Sequence, residues 1–295
     1  MRVMPNVHAN GIDIEYEEFG DPSNPTLLLV MGLGAQMIVW DEGFCQLLAD
    51  RGFHVIRYDN RDVGLSTKFD DAPAPDLAAA MGGDGSSAAY LLADMADDGI
   101  GLLDALGIEK AHIVGASMGG MIVQEMAIRH PEKVLSLCSI MSTTGDRAVG
   151  QPTPEAMAAL MAPPPQTRDE ALDLAVKAQK VIGGTFPVDE AKVRERAGRS
   201  YDRMVNPMGM ARQLVAIMAS PDRTPKLQQL DVPTLVIHGV VDPLVTPSGG
   251  EATAKAIPGA ELLMLEGMGH DTPEQLWPQI VDAIVANTEK RGALA

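Results

Sequence analysis

Residues 111–130 read AHIVGASMGGMIVQEMAIRH. Ala111 to Val114 is a short apolar run of the kind that forms a buried strand. Ser117 to His130 has helical spacing and stops before Pro131, where a helix is expected to end. Between them stands Gly115-Ala116-Ser117-Met118-Gly119, a G-x-S-x-G turn in its required setting between strand and helix. A sharp turn brings backbone close to the serine, so side chains at the two glycine positions would collide. The strained turn lifts the Ser117 hydroxyl clear of the sheet edge. The helix start beneath it offers oriented N–H groups and positive potential to a developing oxyanion. A small-residue turn with no chemistry is the bland alternative, and the flanking strand and helix argue against it.

The same rhythm runs outward in both directions. Thr26 to Met31 (TLLLVM) is an unbroken apolar run closed by Gly32 and Gly34, which suits a strand buried on both faces. Ile12 to Phe19, His54 to Tyr58 and Val134 to Met141 read as further strands, and residues 40–51 and 88–106 as helices. Past the middle of the chain the alternation resumes with strand Thr234 to His238, helix 248–257, strand Glu261 to Leu265 and a closing helix from Glu274 to about Glu289. Alternating strands and helices predict an α/β protein with a mostly parallel, doubly wound sheet. Residues 146–225 break the pattern. They hold Pro163-Pro164-Pro165 and helix-forming stretches but no convincing strand, so they predict a helical cap inserted into a core of residues 1–145 and 226–295. Insertions of this kind usually lie where the strands' C-terminal ends bind ligands.

A serine hydroxyl is a weak nucleophile until an oriented base takes its proton. For this turn, an acid and then a histidine should follow in chain order. Of six histidines, His270 alone sits in a glycine-flanked loop after the last strand, Gly267-Met268-Gly269-His270. Asp242, in HGVVDPLV after the strand ending at His238, is the preferred acid, and Asp146 is its competitor. Asp271 adjoins the base but is read as structural. The two oxyanion donors are expected to be the backbone N–H groups of Leu33, in the loop after the early strand, and Met118.

Composition narrows the partners. The 295-residue chain is 46% hydrophobic and carries a net charge of −17, which argues against nucleic acid and anionic membranes. Two cysteines cannot build a disulfide scaffold, and no apolar run approaches the roughly 18 residues of a membrane span. The first 20 residues lack the apolar core of an export signal, so a cytoplasmic protein is expected. No G-x-G-x-x-G, P-loop or H-E-x-x-H occurs, so no cofactor, nucleotide or metal is implied. A homo-oligomer is left open. The charge is uneven: residues 146–225 sum to +1 and the remainder to −18, so a neutral small molecule is the expected ligand. Met31, Met118 and Met268 could line an apolar pocket. Trp40 and Trp277 read as packing residues, and Asp94, Asp97 and Asp98 as a solvated helix face.

Taken together, VMGLG, HVIRYDNRDVGLST, GASMGG, HGVVDP and GMGH resemble the α/β-hydrolase superfamily over roughly residues 20–145 and 226–285. Within it they look most like the aclacinomycin methylesterase group of small-molecule esterases. The resemblance implies a cofactor-free serine esterase with a cap. Halide displacement and epoxide opening are disfavoured, because family members that perform them use an aspartate where this chain has Ser117. Two departures stand out. Met31-Gly32 replaces a common His-Gly, which removes a side chain that braces the loop but not the N–H donor. The family turn D-x-R-G-x-G-x-S reads Asp59-Asn60-Arg61-Asp62-Val63-Gly64-Leu65-Ser66, with Asp62 in place of a glycine. That segment is expected to be turn structure.

Overall fold

The computed structural model describes residues 5–290; part of the N-terminal stretch read above as non-secretory lies outside them, as does the end of the predicted core. Its order begins with strands β1 (Asn6–Ala9), β2 (Ile12–Phe19) and β3 (Thr26–Val30). Helix α1 (Glu42–Ala49), strand β4 (His54–Tyr58) and helices α2 (Leu77–Met81) and α3 (Leu92–Ala105) follow. Strand β5 (Ala111–Ala116), helix α4 (Met118–Arg129) and strand β6 (Val134–Ile140) complete the first half. The strands form one eight-stranded sheet in the order β1-β2-β4-β3-β5-β6-β7-β8, where β7 is Thr234–Gly239 and β8 is Glu261–Leu265. From β4 onward across the sheet every pairing is parallel, and only β1·β2 and β2·β4 are antiparallel.

Strand β3 shows why an unbroken apolar run was needed. Side chains alternate between faces in a strand. Leu28 and Val30 pack with Met95 of α3 and Ile122 of α4, whereas Leu27 and Leu29 pack with Phe44 of α1 and Ile280. Both faces are covered, so both sets must be apolar. Helix α11 (Trp277–Glu289) supplies Ile280, Val281 and Ile284 to the second face.

Between β6 and β7 lie helices α5 (Pro154–Leu160), α6 (Arg168–Ile182), α7 (Glu190–Arg203), α8 (Pro207–Ala219) and α9 (Thr224–Leu227), and no strand among them. Helix α10 (Ser248–Ala256) joins β7 to β8.

Three expectations need correction. Strand β1 was not foreseen, although Asn10-Gly11 is a strong hairpin signal. Both residues take positive φ, 49° and 77°, and the turn pairs Ala9 with Ile12. Helix α2, at five residues, is too short for its spacing to stand out in the sequence. Asp98 is not solvated: it is 1% exposed and grips Arg61 through two hydrogen bonds of 2.6 and 2.7 Å. An isolated acidic cluster reads as a wet face because its buried partner lies 37 residues away. Among the described residues, no helix is long and apolar enough to cross a membrane.

Candidate active site

The turn after β5 places Ser117 at φ 57°, ψ −121°, ahead of the first residue of α4. A non-glycine residue there is strained, and strain of this kind is retained where surrounding structure enforces it. Enforcement comes from the two glycines. A Cβ at Gly115 would lie 2.1 Å from the Gly119 carbonyl oxygen, and one at Gly119 would lie 2.1 Å from the Val30 carbonyl oxygen. No side chain fits either gap.

Three loops from the C-terminal edge of the sheet meet at this point. His270 Nε2 lies 2.9 Å from Ser117 Oγ, and His270 Nδ1 lies 2.8 Å from Asp242 Oδ2. Asp242 is 2% exposed, and its other oxygen accepts hydrogen bonds from the backbone N–H groups of Leu244 and Val245 at 2.9 and 3.0 Å. Those bonds set the carboxylate's orientation toward the ring. Asp146 instead accepts from Ala148 N–H in its own turn, at 2.9 Å, and lines the pocket rather than meeting the ring. Beside Asp242 sits His238, whose Nε2 donates to the Val245 carbonyl at 2.7 Å. Burial pushes that second imidazole's pKa down, which favours its neutral form.

Both residues expected to offer amide donors border the serine. Met118 is the next residue in the chain, and Leu33 lines the same cavity. Gly32, just before Leu33, backs onto Ser117: a Cβ there would stand 3.0 Å from Ser117 Cβ and 3.5 Å from Oγ.

The cavity above the serine has a volume of about 750 Å³. Met31 and Met118 line it, but Met268 does not; it packs in the core below Trp40 and Leu265. Trp40 and Trp277 serve both purposes. They pack against Phe44, with ring centroids 5.6 and 5.8 Å away, and also form cavity wall. The far wall comes from the segment between β6 and β7, through residues such as Leu160, Ile182, Phe186, Leu214 and Met218.

Residues 25–275 match the family described as alpha/beta hydrolase fold. The chain belongs to the α/β-hydrolase family. It is 30% identical to rhodomycin D methylesterase of a Streptomyces species, over 92% of this chain and 93% of the relative. It is 27% identical to 3-oxoadipate enol-lactonase 2 of Acinetobacter baylyi, over 96% of this chain and 95% of that one. Among solved structures, a hydrolase from Pseudomonas aeruginosa superposes with a TM-score of 0.72 at 25% identity, covering 97% and 98% of the two chains. A meta-cleavage product hydrolase from Pseudomonas fluorescens reaches the same TM-score at 22% identity over 97% of each chain, and speaks for the fold alone.

Within this α/β-hydrolase frame, several contacts were invisible to sequence reasoning. His270 N–H donates to the Ile182 carbonyl at 2.7 Å, and Thr185 N–H to the Gly267 carbonyl at 2.8 Å. The end of α6 is thus zipped along the histidine loop. Close approach requires glycine: a Cβ at Gly184 would lie 1.8 Å from the Gly267 oxygen. Gly183-Gly184 after a helical run signals a helix end, but not what the end touches. Arg196 of α7 also lines the cavity, where burial lowers its pKa, and it makes one long hydrogen bond, 3.5 Å to Gln179 Oε1. A nearly neutral composition for residues 146–225 could not reveal that Arg196, with Arg147, Lys192 and Arg223, lines the cavity.

The family's D-x-R-G-x-G-x-S turn explains its own departure. Asp62 takes φ 70°, the region in which glycine is usual. Its carboxylate is buried and accepts from Arg212 of α8 at 2.7 and 2.8 Å and from Tyr90 Oη at 2.6 Å. Burial alone would raise the Asp62 pKa, but these bonds outweigh it and lower it.

Proposed function

We propose that this protein hydrolyses carboxylic esters of small, largely apolar and neutral molecules through Ser117, His270 and Asp242. The observation carrying the proposal is the imidazole of His270, placed within hydrogen-bond reach of both the Ser117 hydroxyl and the Asp242 carboxylate. With its Nδ1–H held by Asp242, the ring presents Nε2 to the serine as a base. Ser117 Oγ attacks the ester carbonyl while His270 takes its proton. The oxyanion is received by the Leu33 and Met118 N–H groups, preorganised beside the serine. His270 then returns the proton to the leaving alcohol. A water molecule, deprotonated by the same ring, releases the acid from the acyl-enzyme.

Residues 146–225 act as a cap that closes the cavity over the acyl and alcohol groups. A volume of about 750 Å³ with methionine and aliphatic walls suits a bulky apolar ester. Likeness to a rhodomycin D methylesterase supports a methyl ester of a large ring system as first candidate. A second reading keeps the same three residues and changes the bond cleaved, to a lactone, thioester or carbon–carbon bond or a perhydrolytic exchange. The enol-lactonase relative favours keeping the lactone in the trial panel. A catalytically silent binding protein would need no polarised serine.

Ser117→Ala or His270→Ala should lower ester turnover by about four to six powers of ten with the fold intact. A phosphonate probe should add one covalent mass at Ser117. Full turnover by Ser117→Ala, or labelling elsewhere, overturns the assignment. Aryl esters of increasing chain length, assayed beside bulky methyl esters and lactones, separate a general esterase from a methylesterase and from the second reading.

A further inference from the structure

Leu33 must hold its N–H toward the oxyanion although the family's usual bracing histidine is replaced by Met31. The loop is pinned one peptide plane at a time. Asn60 Nδ2 donates to the Met31 carbonyl at 2.9 Å, which fixes the Met31–Gly32 plane. Ala35 N–H donates to the Gly32 carbonyl at 3.2 Å, which fixes the plane that also carries the Leu33 N–H. The third plane, Leu33–Gly34, ends at a glycine with φ 65°, where a peptide can turn over at little steric cost.

That third plane is held from the cap. Gly34 N–H donates to Gln213 Oε1 at 2.8 Å, and Gln213 Nε2 donates to the Arg61 carbonyl at 2.7 Å. Gln213 is fully buried. A donor on one side and an acceptor on the other require an amide there, because neither a carboxylate nor a thioether satisfies both. Helix α8 is itself seated on the Asp59–Ser66 turn through Arg212 and through Asn206 Nδ2, which donates to the Asp62 carbonyl at 3.0 Å. A second amide repeats the pattern: Gln36 Nε2 donates to the Ser200 and Met204 carbonyls at the end of α7, at 2.8 and 3.0 Å. The loop beside the serine is therefore tied to the cap at both Gly34 and Gln36.

We infer that Gln213 is a positioning residue of the reaction: by pinning the Leu33–Gly34 plane it keeps Leu33, and with it the N–H on the adjoining plane, in oxyanion-binding geometry, so the cap helps set the rate of the chemical step. The inference rests on the ester-hydrolase reading above. Loss of one oxyanion donor typically costs about 10² to 10³ in kcat, and a misplaced donor costs part of that.

Gln213→Met keeps the volume and removes both hydrogen bonds. It should lower kcat about 10- to 100-fold, leave KM within about twofold, and slow phosphonate labelling of Ser117 in parallel. Arg212→Met, one residue earlier on the same helix, should lower the melting temperature while the folded enzyme keeps kcat within about threefold. A Gln213→Met enzyme with wild-type kcat, or with only KM changed, overturns the inference. So does a kcat loss as large in Arg212→Met, because the role would then be structural. If Gln213→Met does not fold, hydrogen exchange of the wild-type protein decides. The Gly34 amide should be protected, and exchange at the rate of an open loop overturns the proposal. A wild-type protein that hydrolyses no ester and takes no label at Ser117 would instead overturn the ester reading, and this inference with it.

Discussion

Strand β7 buries all six of its residues and β6 six of seven, whereas α6 buries one of fifteen and α7 two of fourteen. The sheet is held by apolar faces that any suitable set of aliphatic side chains could fill. The helices between β6 and β7 add only a few core residues, such as Ala216 and Leu227, and are otherwise seated through buried polar contacts: Arg212 on Asp62, Gln213 between Arg61 and Gly34, and the Ile182 carbonyl on the His270 N–H. Their outward pairs, such as Arg168 with Asp202, are about half exposed and contribute little. Buried polar contacts are directional, so the helical segment is positioned by geometry where the sheet is positioned by volume. The proposed chemistry follows the same division: Ser117, His270 and Asp242 stand on sheet loops, and restraints on those loops come from the helices.

The sharpest way to break that division is to move the acid. Asp242→Asn should lower kcat about 10⁴-fold by favouring the wrong imidazole tautomer, while Asp146→Asn should stay within about threefold. Steady-state rates of the two variants decide it. The reverse result would put the acid in the helical segment and erase the contrast.

Next in size is the anchor between the regions. Arg212→Met strands the Asp62 carboxylate in a buried site, which should cost about 3–5 kcal/mol and lower the melting temperature accordingly. Adding Asp62→Gly removes the stranded charge and puts glycine where φ is 70°, so the double variant should recover most of the loss. Arg168→Met, at an exposed pair, should change stability by no more than about 0.5 kcal/mol. Similar losses at Arg212 and Arg168 would mean that the polar anchor does not hold the helices.

The two regions also differ in how much of their structure the sequence displays. Strands β2 and β8 fall where apolar runs placed them, and the order serine, acid, histidine located three groups that the structure brings within hydrogen-bond distance. Those signals are periodic or local, and a buried strand cannot avoid displaying them. Gln213 sits in the helical run MARQLVAIMA and looks like any polar residue on an amphipathic helix. Its partners, Gly34 and Arg61, are more than 150 residues away. Asp98 was misread for the same reason, because a buried ion pair between distant residues leaves no periodicity on either side. The long-range polar contacts, which tie the helices to the sheet, are the part a linear pattern does not carry.

Arg196 sharpens the comparison from inside the cavity. A desolvated guanidinium with one long hydrogen bond has donors to spare for a ligand. Arg196→Met should raise KM about tenfold for esters that carry a carbonyl or phenolic acceptor away from the scissile bond. For plain alkyl esters KM should hardly change, and kcat should hold for both. Equal shifts for the two ester classes would show that the helical wall acts by shape alone.

The smallest expected effect lies at Asp271, where a residue of the sheet loop has its surroundings built by the helices. Oδ2 accepts from Gln179 Nε2 at 2.7 Å, while Oδ1 is buried without a hydrogen-bond partner among the described residues. Burial raises the carboxyl's pKa, and the hydrogen bonds and the nearby His270 only partly offset that. The folded protein therefore keeps this proton to higher pH than the unfolded chain does. Its contribution to stability is complete below the unfolded value of about 4 and is lost as pH rises through the folded one. Asp271→Asn has no proton to lose, so its melting temperature relative to wild type should climb as pH increases from about 4 upward. A difference that stays flat with pH would mean that water reaches the carboxyl and that the end of α6 does not seal this side. His270, the preceding residue, would then stand open to solvent on the face where the proposed reaction needs it dry, and the restraint assigned to the Ile182 carbonyl would fail with it.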